Sequence, residues 1–174
     1  MSLSTIQSPN TLDDPRPSSN ETTTLSASLW SKHYSLGAQA HTKKQYKEAV
    51  THFEQCVIIC LTLLKPSKSG QNAHKLPCML HQSGHNLAAC HNALGNGLLA
   101  KKTLEQLHKQ LIAVACSEQY PRTIRLGVLG SIDQSLFSLT SQLAYLNQVN
   151  EIHSVILKTE NTVTSLSEKL LNAA

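Results

Sequence analysis

The sequence predicts an all-α protein built from three consecutive antiparallel helical hairpins. The 174 residues include only seven glycines and six prolines, and three of the prolines precede residue 18. The rest of the chain therefore contains few helix breakers. Throughout that part, apolar residues recur at spacings of three and four, which is the spacing of one helical face. Hydrophobic residues make up 40% of the chain and aromatic residues 4%, so we expect a mainly aliphatic core.

Composition divides the chain near residue 26. Residues 1–26 are rich in Ser, Thr, Pro and Asn and carry few large apolar side chains. Such a segment cannot offset the entropy of ordering by burial. We therefore predict a disordered N-terminal arm over 1–26 and a helical-repeat domain over 27–174. The three hairpins of that domain span about 28–65, 77–117 and 121–171.

The first hairpin begins where the apolar pattern begins. Ser26 or Ser28 can cap the first turn through a side-chain oxygen, and Tyr46 opens the second helix. The inward residues of the first helix are Trp30, His33, Leu36, Gly37 and Ala40. Those of the second helix are Ala49, Val50, Phe53, Cys56, Val57 and Cys60.

The second hairpin follows a loop, KPSKSGQNAHKLP, that interrupts the pattern. Pro77 at its end suits the first turn of a helix, where a missing N–H costs nothing. The third helix then spans about 77–94 and the fourth about 97–117. Between them, LGNG predicts a tight turn in which Gly95 or Gly97 takes a positive φ.

The third hairpin starts at Pro121, with a fifth helix over about 121–146. The apolar stripes of the fifth and sixth helices both step by three and four, a spacing that keeps a stripe facing one partner helix. We expect the two stripes to pair within a monomer, which would largely bury Val128, Leu136 and Ile156. The same pattern can also join two chains, so a homodimer through the last hairpin stays open.

The first two hairpins share one internal spacing. Gly37 aligns with Ala88 and Ala49 aligns with Ala100, both at an offset of 51. The segment SLGAQAHTKKQYKEAVTHFEQCV resembles a tetratricopeptide repeat. It has Leu-Gly on its first helix, an aromatic residue before its second helix, and then an Ala followed by an aromatic residue four positions later. His33 and Ala40 depart from the pattern, because the family usually has Trp and often Tyr there.

The resemblance implies that the hairpins stack as a short right-handed α-solenoid. It implies a packing role for Leu36, Gly37, Tyr46, Ala49, Phe53, Leu87, Ala88, Ala100 and Leu104. It also implies a concave peptide groove lined by Ser31, Tyr34, Ala38, His41, Gln82, His85, Asn86 and Asn92. Some members clamp a partner's carboxylates with Lys and Asn, but Tyr34 and Ala38 stand at two of those positions, so we expect a neutral or partly apolar ligand. The segment HNLAACHNALGN is also similar to small bacterial helical-repeat proteins of unknown function.

Several cysteine and histidine residues, which can bind metals, are close together in the segment CMLHQSGHNLAACHN. On a helix, Cys78, His81 and His85 fall within about 60° of one another, and zinc accepts such ligands. However, His74 belongs to the preceding loop, and no second pair of ligands completes a shell. We therefore predict no bound metal and regard the two histidines as groove residues. A metal-binding protein that uses Cys78, His81 and His85 is the alternative.

The motifs, charge and cysteine content of the chain bear on its function. The chain lacks a Gly-rich phosphate loop, G-x-S-x-G and H-E-x-x-H, so we expect neither an enzyme nor a cofactor. The net charge is +4 with dispersed cations, which does not favour nucleic acid. The chain has no apolar run of 18 residues, and its five cysteines are an odd number. The first residues contain no basic start and no apolar block, so we expect no secretory signal. We expect a cytoplasmic adaptor or scaffold that binds a protein or peptide and no membrane. A cytosolic secretion-type chaperone is a second alternative.

Overall fold

The computed structural model describes residues 19–65 and 73–172, and all regular structure in these two ranges is helical. The all-α class predicted from the sequence is confirmed. The described residues form six α-helices, α1 (Ser19–Thr42), α2 (Tyr46–Leu63), α3 (Leu76–Ala93), α4 (Gly97–Cys116), α5 (Arg122–Tyr145) and α6 (Val149–Asn172), and a 3₁₀ turn (Ala73–Lys75) precedes α3. Below, α1, α3 and α5 are the first helices, and α2, α4 and α6 are the second helices.

The start of α1 differs from the prediction. The helix begins at Ser19, upstream of the caps predicted at Ser26 or Ser28. The stretch Asn20–Thr24 contains no glycine or proline, so nothing local ends the helix there. We predicted the start from the apolar pattern. That pattern indicates only where a helix begins to pack on other helices. Helix α1 therefore overlaps the arm predicted over 1–26, and residues 1–18 of that arm lie outside the described part of the chain.

Each hairpin turns through the same backbone motif. The second residue after each first helix has a positive φ: 60° at Lys44, 77° at Gly95 and 57° at Asn147. The following amide then reaches back five residues, as in a Schellman motif. These bonds run from Gln45, Asn96 and Gln148 to the carbonyls of Ala40, His91 and Leu143, at 2.8, 2.8 and 2.9 Å. The prediction for Gly95 is confirmed. The turns recur 51 and 52 residues apart, so they extend the repeat to the third hairpin, where the side-chain signature is missing.

Each helix packs on the helices before and after it in the chain, and α3 also packs on α5. Several predicted packing residues lie in the resulting core. Ala49, Phe53, Leu87, Ala88, Ala100 and Leu104 are buried. Gly37 lies so close to α2 that a Cβ there would be 3.0 Å from the Phe53 ring. Tyr46 is only half-buried.

Leu36 does not pack as the prediction assumed, because 38% of its surface is exposed. Its equivalents by turn register, Leu87 and Leu139, are 7% and 2% exposed. The same contrast separates Leu29, at 44% exposed, from its buried equivalent Leu80. In α3 and α5 the preceding hairpin covers this side of the helix. Helix α1 has no preceding hairpin within the described residues, so its equivalent side is open.

The third hairpin is packed differently from the prediction. Val128 is fully buried, as predicted, but Leu136 and Ile156 are only half-buried. The prediction assumed that α5 pairs with α6 alone. In the structure α5 packs on α3 and α4 as well, and its buried face is correspondingly wide and partly polar. That face includes Ser131, Ser135, Ser138 and Gln142.

Candidate interaction surface

Hydrogen bonds between side chains join the first helices side by side. Trp30 Nε1 donates to Ser83 Oγ at 3.0 Å, and Asn86 Nδ2 donates to the Tyr34 hydroxyl at 3.0 Å. The Trp30 and Tyr34 rings are stacked, with centroids 4.7 Å apart. These contacts tie α1 to α3 at two levels along the helix axis.

The same arrangement recurs between α3 and α5. His85 Nδ1 lies 3.1 Å from Ser138 Oγ. Asn92 and Gln142 exchange two amide hydrogen bonds of 2.7 and 3.1 Å, and Gln142 also donates to the Gly97 carbonyl at 3.0 Å. Such paired amide bonds fix both side chains and therefore the spacing of the helices.

The eight predicted groove residues divide into two groups. Tyr34, His85, Asn86 and Asn92 make the bonds that hold the first helices together. The other four are exposed: Ser31, Ala38, His41 and Gln82. All eight lie on the first helices, and the structure brings the first-named four into contacts between neighbouring helices.

The first helices carry few charges. Helix α3 contains no Asp, Glu, Lys or Arg. The two arginines of α5 donate hydrogen bonds to backbone carbonyls. Arg122 donates to Leu170 at 2.9 Å, and Arg125 donates to Ala115 at 2.9 Å. Asp133 is then the remaining charged residue of α5. The second helices carry most of the charged helical residues, so the charge of this domain is concentrated on one of its two layers.

Two large aromatic side chains on α5 are exposed to solvent, Phe137 at 74% and Tyr145 at 71%. Phe137 precedes the positive-φ residue of its turn by ten positions, as Tyr34 and His85 do in their hairpins. Phe137 could not be identified from the sequence because the third hairpin lacks the repeat signature, and only the turn register relates this residue to the groove positions. We call the exposed surface of α1, α3 and α5 that contains Ser31, Gln82, His85, Phe137 and Tyr145 the first-helix face.

The cysteine and histidine residues around α3 do not form a ligand set. Cys78 is exposed, and the His81 and His85 rings stack with centroids 6.0 Å apart. Within 19–65 and 73–172, no three His, Cys, Asp or Glu side chains gather as a metal ion would require. Burial, with a smaller effect of His85, lowers the pKa of His81, and its Nε2 is buried without a partner.

Three other cysteines are buried in the core. Burial raises the pKa of Cys56 and Cys90 to about 11 and that of Cys60 to about 12. A thiol attacks as its thiolate, so these side chains stay protonated and unreactive near neutral pH. They act as small packing residues, in agreement with the inward positions predicted for Cys56 and Cys60.

The second helices are separated by two grooves. The larger groove, of about 590 Å³, lies between α2 and α4 over α3, and the smaller one, of about 370 Å³, lies between α4 and α6 over α5. The repeat register relates them, since Glu54, Leu61 and Leu87 in the first correspond to Glu105, Ile112 and Leu139 in the second. Neither groove is lined by any of the eight predicted residues.

One correspondence between the grooves changes chemical character. The apolar pair Val57 and Leu107 of the first is replaced in the second by His108 and Thr159. His108 Nε2 lies 2.9 Å from Thr159 Oγ1, and its Nδ1 lies 2.8 Å from Ser135 Oγ. His108 is only 7% exposed and joins α4 to both α5 and α6. His108 could not be recognised from the sequence, because a lone histidine in an apolar stripe belongs to no motif.

When His108 is neutral, the cluster of His108, Ser135 and Thr159 has fewer hydrogen atoms than hydrogen-bond contacts. Each hydroxyl also lies 2.8 Å from a carbonyl of its own helix, so four contacts share two hydroxyl hydrogens and one imidazole hydrogen. A protonated His108 ring, an imidazolium, would supply a fourth hydrogen atom. The additional hydrogen bond would contribute about 1–3 kcal/mol, whereas burying a cation costs several kcal/mol. Burial therefore lowers the pKa of His108.

None of the helices in the described part of the chain combines the length and apolar content needed to cross a membrane. No curated protein and no solved structure matches the chain. A family model described as "Protein of unknown function (DUF2753)" matches residues 28–171. The match covers all three hairpins apart from the first turns of α1 and the last residue of α6. The chain therefore belongs to the DUF2753 family.

Proposed function

We propose that this chain is a non-enzymatic interaction module that binds a protein or peptide segment on its first-helix face. The hairpins would form a short right-handed, tetratricopeptide-like α-solenoid with this face on its concave side. The observation that carries the proposal is the chemistry of the face, which is almost uncharged and exposes Phe137 and Tyr145. The buried centres of protein interfaces are depleted of charge and enriched in aromatic residues in the same way.

Two properties of the face favour binding. The hydrogen bonds Tyr34–Asn86 and Asn92–Gln142 hold the first helices in place before a partner arrives, which reduces the ordering cost of association. The exposed amide, hydroxyl and imidazole groups of Gln82, Ser31 and His85 can bond to a peptide backbone. A partner segment that is uncharged and carries apolar or aromatic side chains fits this surface.

Because the first-helix face is almost uncharged, the proposal predicts how binding depends on salt. Association through an uncharged face should depend little on salt, because salt screens only interactions between charges. Binding between oppositely charged surfaces would instead weaken as ionic strength rises. The five cysteines form no disulfide within the described residues, and we propose a cytoplasmic location.

The test compares two substitutions of exposed apolar residues. Phe137→Ser removes the most exposed aromatic side chain of the first-helix face, and Leu157→Ser removes an exposed apolar side chain of α6. Partners captured by the unmodified chain at low and high salt are identified and then titrated individually. We expect Phe137→Ser to weaken binding at least tenfold and Leu157→Ser to leave it unchanged. Equal affinities for all three chains would refute this site.

The metal-binding alternative has a separate test. Protein purified without a histidine tag or chelator should contain far less than one zinc, nickel or copper ion per chain, because the described residues offer no three-ligand cluster. Elemental analysis measures this directly. Stoichiometric metal that disappears in Cys78→Ser/His81→Ala would establish the alternative instead.

A further inference from the structure

Helix α6 is attached to α4 by two polar contacts near its N-terminal half. Glu151 accepts a 2.7 Å hydrogen bond from Lys101 at the surface, and Thr159 contacts the buried His108. The large apolar side chains that α6 buries most completely, Leu166 and Leu170, lie toward its other end. The first half of α6 therefore depends on its polar contacts more than the second half does.

The His108 ring lies beside the groove of about 370 Å³ between α4 and α6. The charged residues lining that groove are Glu105 and Lys109 from α4 and Lys158 from α6, while α5 contributes Leu139. Glu105 is 3.7 Å from Lys101. Both hydrogen-bond partners of the ring are neutral hydroxyls, so a positive charge on the ring would meet no carboxylate in direct contact.

The equivalent position in the first groove shows that this polarity is not needed to join two hairpins. Val57 and Leu107 occupy the corresponding positions and are apolar. The Val57–Leu107 pair itself contains nothing that titrates, although His91 of α3 and Glu54 of α2 also line that groove. The substitution of His108 and Thr159 therefore places a titratable ring in the contact between two second helices, where the first groove has an apolar pair.

We propose that His108 is a proton-sensitive link in which the neutral ring ties α6 to α4 through Thr159, and protonation draws water into the groove and loosens the first half of α6. Burial lowers the pKa of His108 in the folded chain below that of the unfolded chain, which is about 6.5. The stability contributed by the neutral ring is thus fully present above about pH 6.5 and is lost as pH falls through the folded pKa.

The first experiment measures amide hydrogen exchange of the full chain at pH 7.5 and 5.5, corrected for intrinsic exchange rates. We expect the protection of the first half of α6 to fall at least tenfold more than that of the α1–α2 hairpin. Equal losses in the two regions would overturn the proposal, because they would indicate global destabilisation rather than release at His108.

The second experiment transplants the apolar junction into the pH-sensitive one. His108→Val/Thr159→Leu should abolish the selective loss of protection in α6 at pH 5.5, and the control His153→Gln, at an exposed position of α6, should retain it. A double variant that keeps the selective loss would refute the link. If that variant does not fold, imidazole NMR of the unmodified chain decides. A His108 pKa below 6.5 whose titration coincides with changes in α6 supports the link, and a pKa of 6.5 or above overturns it.

Discussion

At the scale of single residues, close helix packing depends on positions where no side chain fits. Gly37 faces Phe53 so closely that any Cβ would displace the ring. The sequence identified this glycine through the repeat signature, and the structure shows the contact behind it. Exposure of Leu36 could not be predicted in the same way, because the signature assumes a neighbouring hairpin on both sides.

Gly37→Leu should destabilise the chain by about 1–3 kcal/mol or more, since overpacking forces Phe53 and the α1–α2 crossing apart. Thermal and urea unfolding measure the change. Gly130→Leu is the matched control, because it is also helical but has no atom within 4 Å of its Cβ position. Equal destabilisation of both variants would show that the loss comes from helix propensity or solubility and not from the crossing.

Buried histidines give the chain a common dependence on pH. Burial lowers the pKa of His81, His91 and His108, so the folded chain binds fewer protons than the unfolded chain below about pH 6.5. The free energy of unfolding should therefore fall as pH decreases from about 6.5 toward 5. Urea unfolding at several pH values measures it, and a constant value across this range would contradict the burial of these rings.

At the scale of the elements, the six helices could be predicted because the apolar periodicity and the breakers agree. The predicted starts of α2, α3, α4 and α5 lie within a few residues of the observed ones, and the start of α1 fails because its first turns carry no apolar stripe. The packing between α5 and α6 was less predictable. An apolar stripe shows which face of a helix is apolar, but it does not show how many neighbouring helices pack on that face. The serines that α5 buries could not be recognised as core for the same reason.

The hairpin turns allow a prediction at this scale. Lys44 and Asn147 adopt a left-handed conformation that costs a residue with a Cβ roughly 1–2 kcal/mol, whereas glycine adopts it freely. Lys44→Gly should therefore leave the chain equally or more stable, despite the greater flexibility of the unfolded glycine.

The converse change at the middle turn should destabilise the chain. Gly95→Ala places a Cβ on the same backbone conformation and should cost about 1 kcal/mol. Denaturant unfolding compares the two variants with the parent. If both changes had the same sign, the shared turn geometry would be in doubt.

At the scale of the whole molecule, the two layers of helices differ in chemistry. The first helices expose an almost uncharged surface, and the second helices carry most of the charge around two grooves. The groove residues predicted from the sequence all lie on the first helices, and Phe137 was not among them. Four of those residues, Tyr34, His85, Asn86 and Asn92, also make contacts between neighbouring helices that were not predicted. Individual positions cannot reveal such contacts without the distances between helices.

The chain should be a monomer at micromolar concentration, because Leu166 and Leu170 of the last hairpin are buried within one chain. Light scattering coupled to size exclusion measures the mass. A dimer that Phe137→Ser dissociates would identify a second copy of the chain as the occupant of the first-helix face. A dimer that persists in that variant would place the contact elsewhere.

The open side of α1 has a consequence for engineering. Leu29 and Leu36 hold the register positions that a preceding hairpin covers in α3 and α5. A copy of the α3–α4 hairpin joined ahead of α1, with the spacing of the shared turns, would present α4-type side chains to these two leucines. Their burial should raise the melting temperature of the lengthened chain above that of the parent. The fold would then serve as a modular scaffold whose length is set by the number of units added at one end.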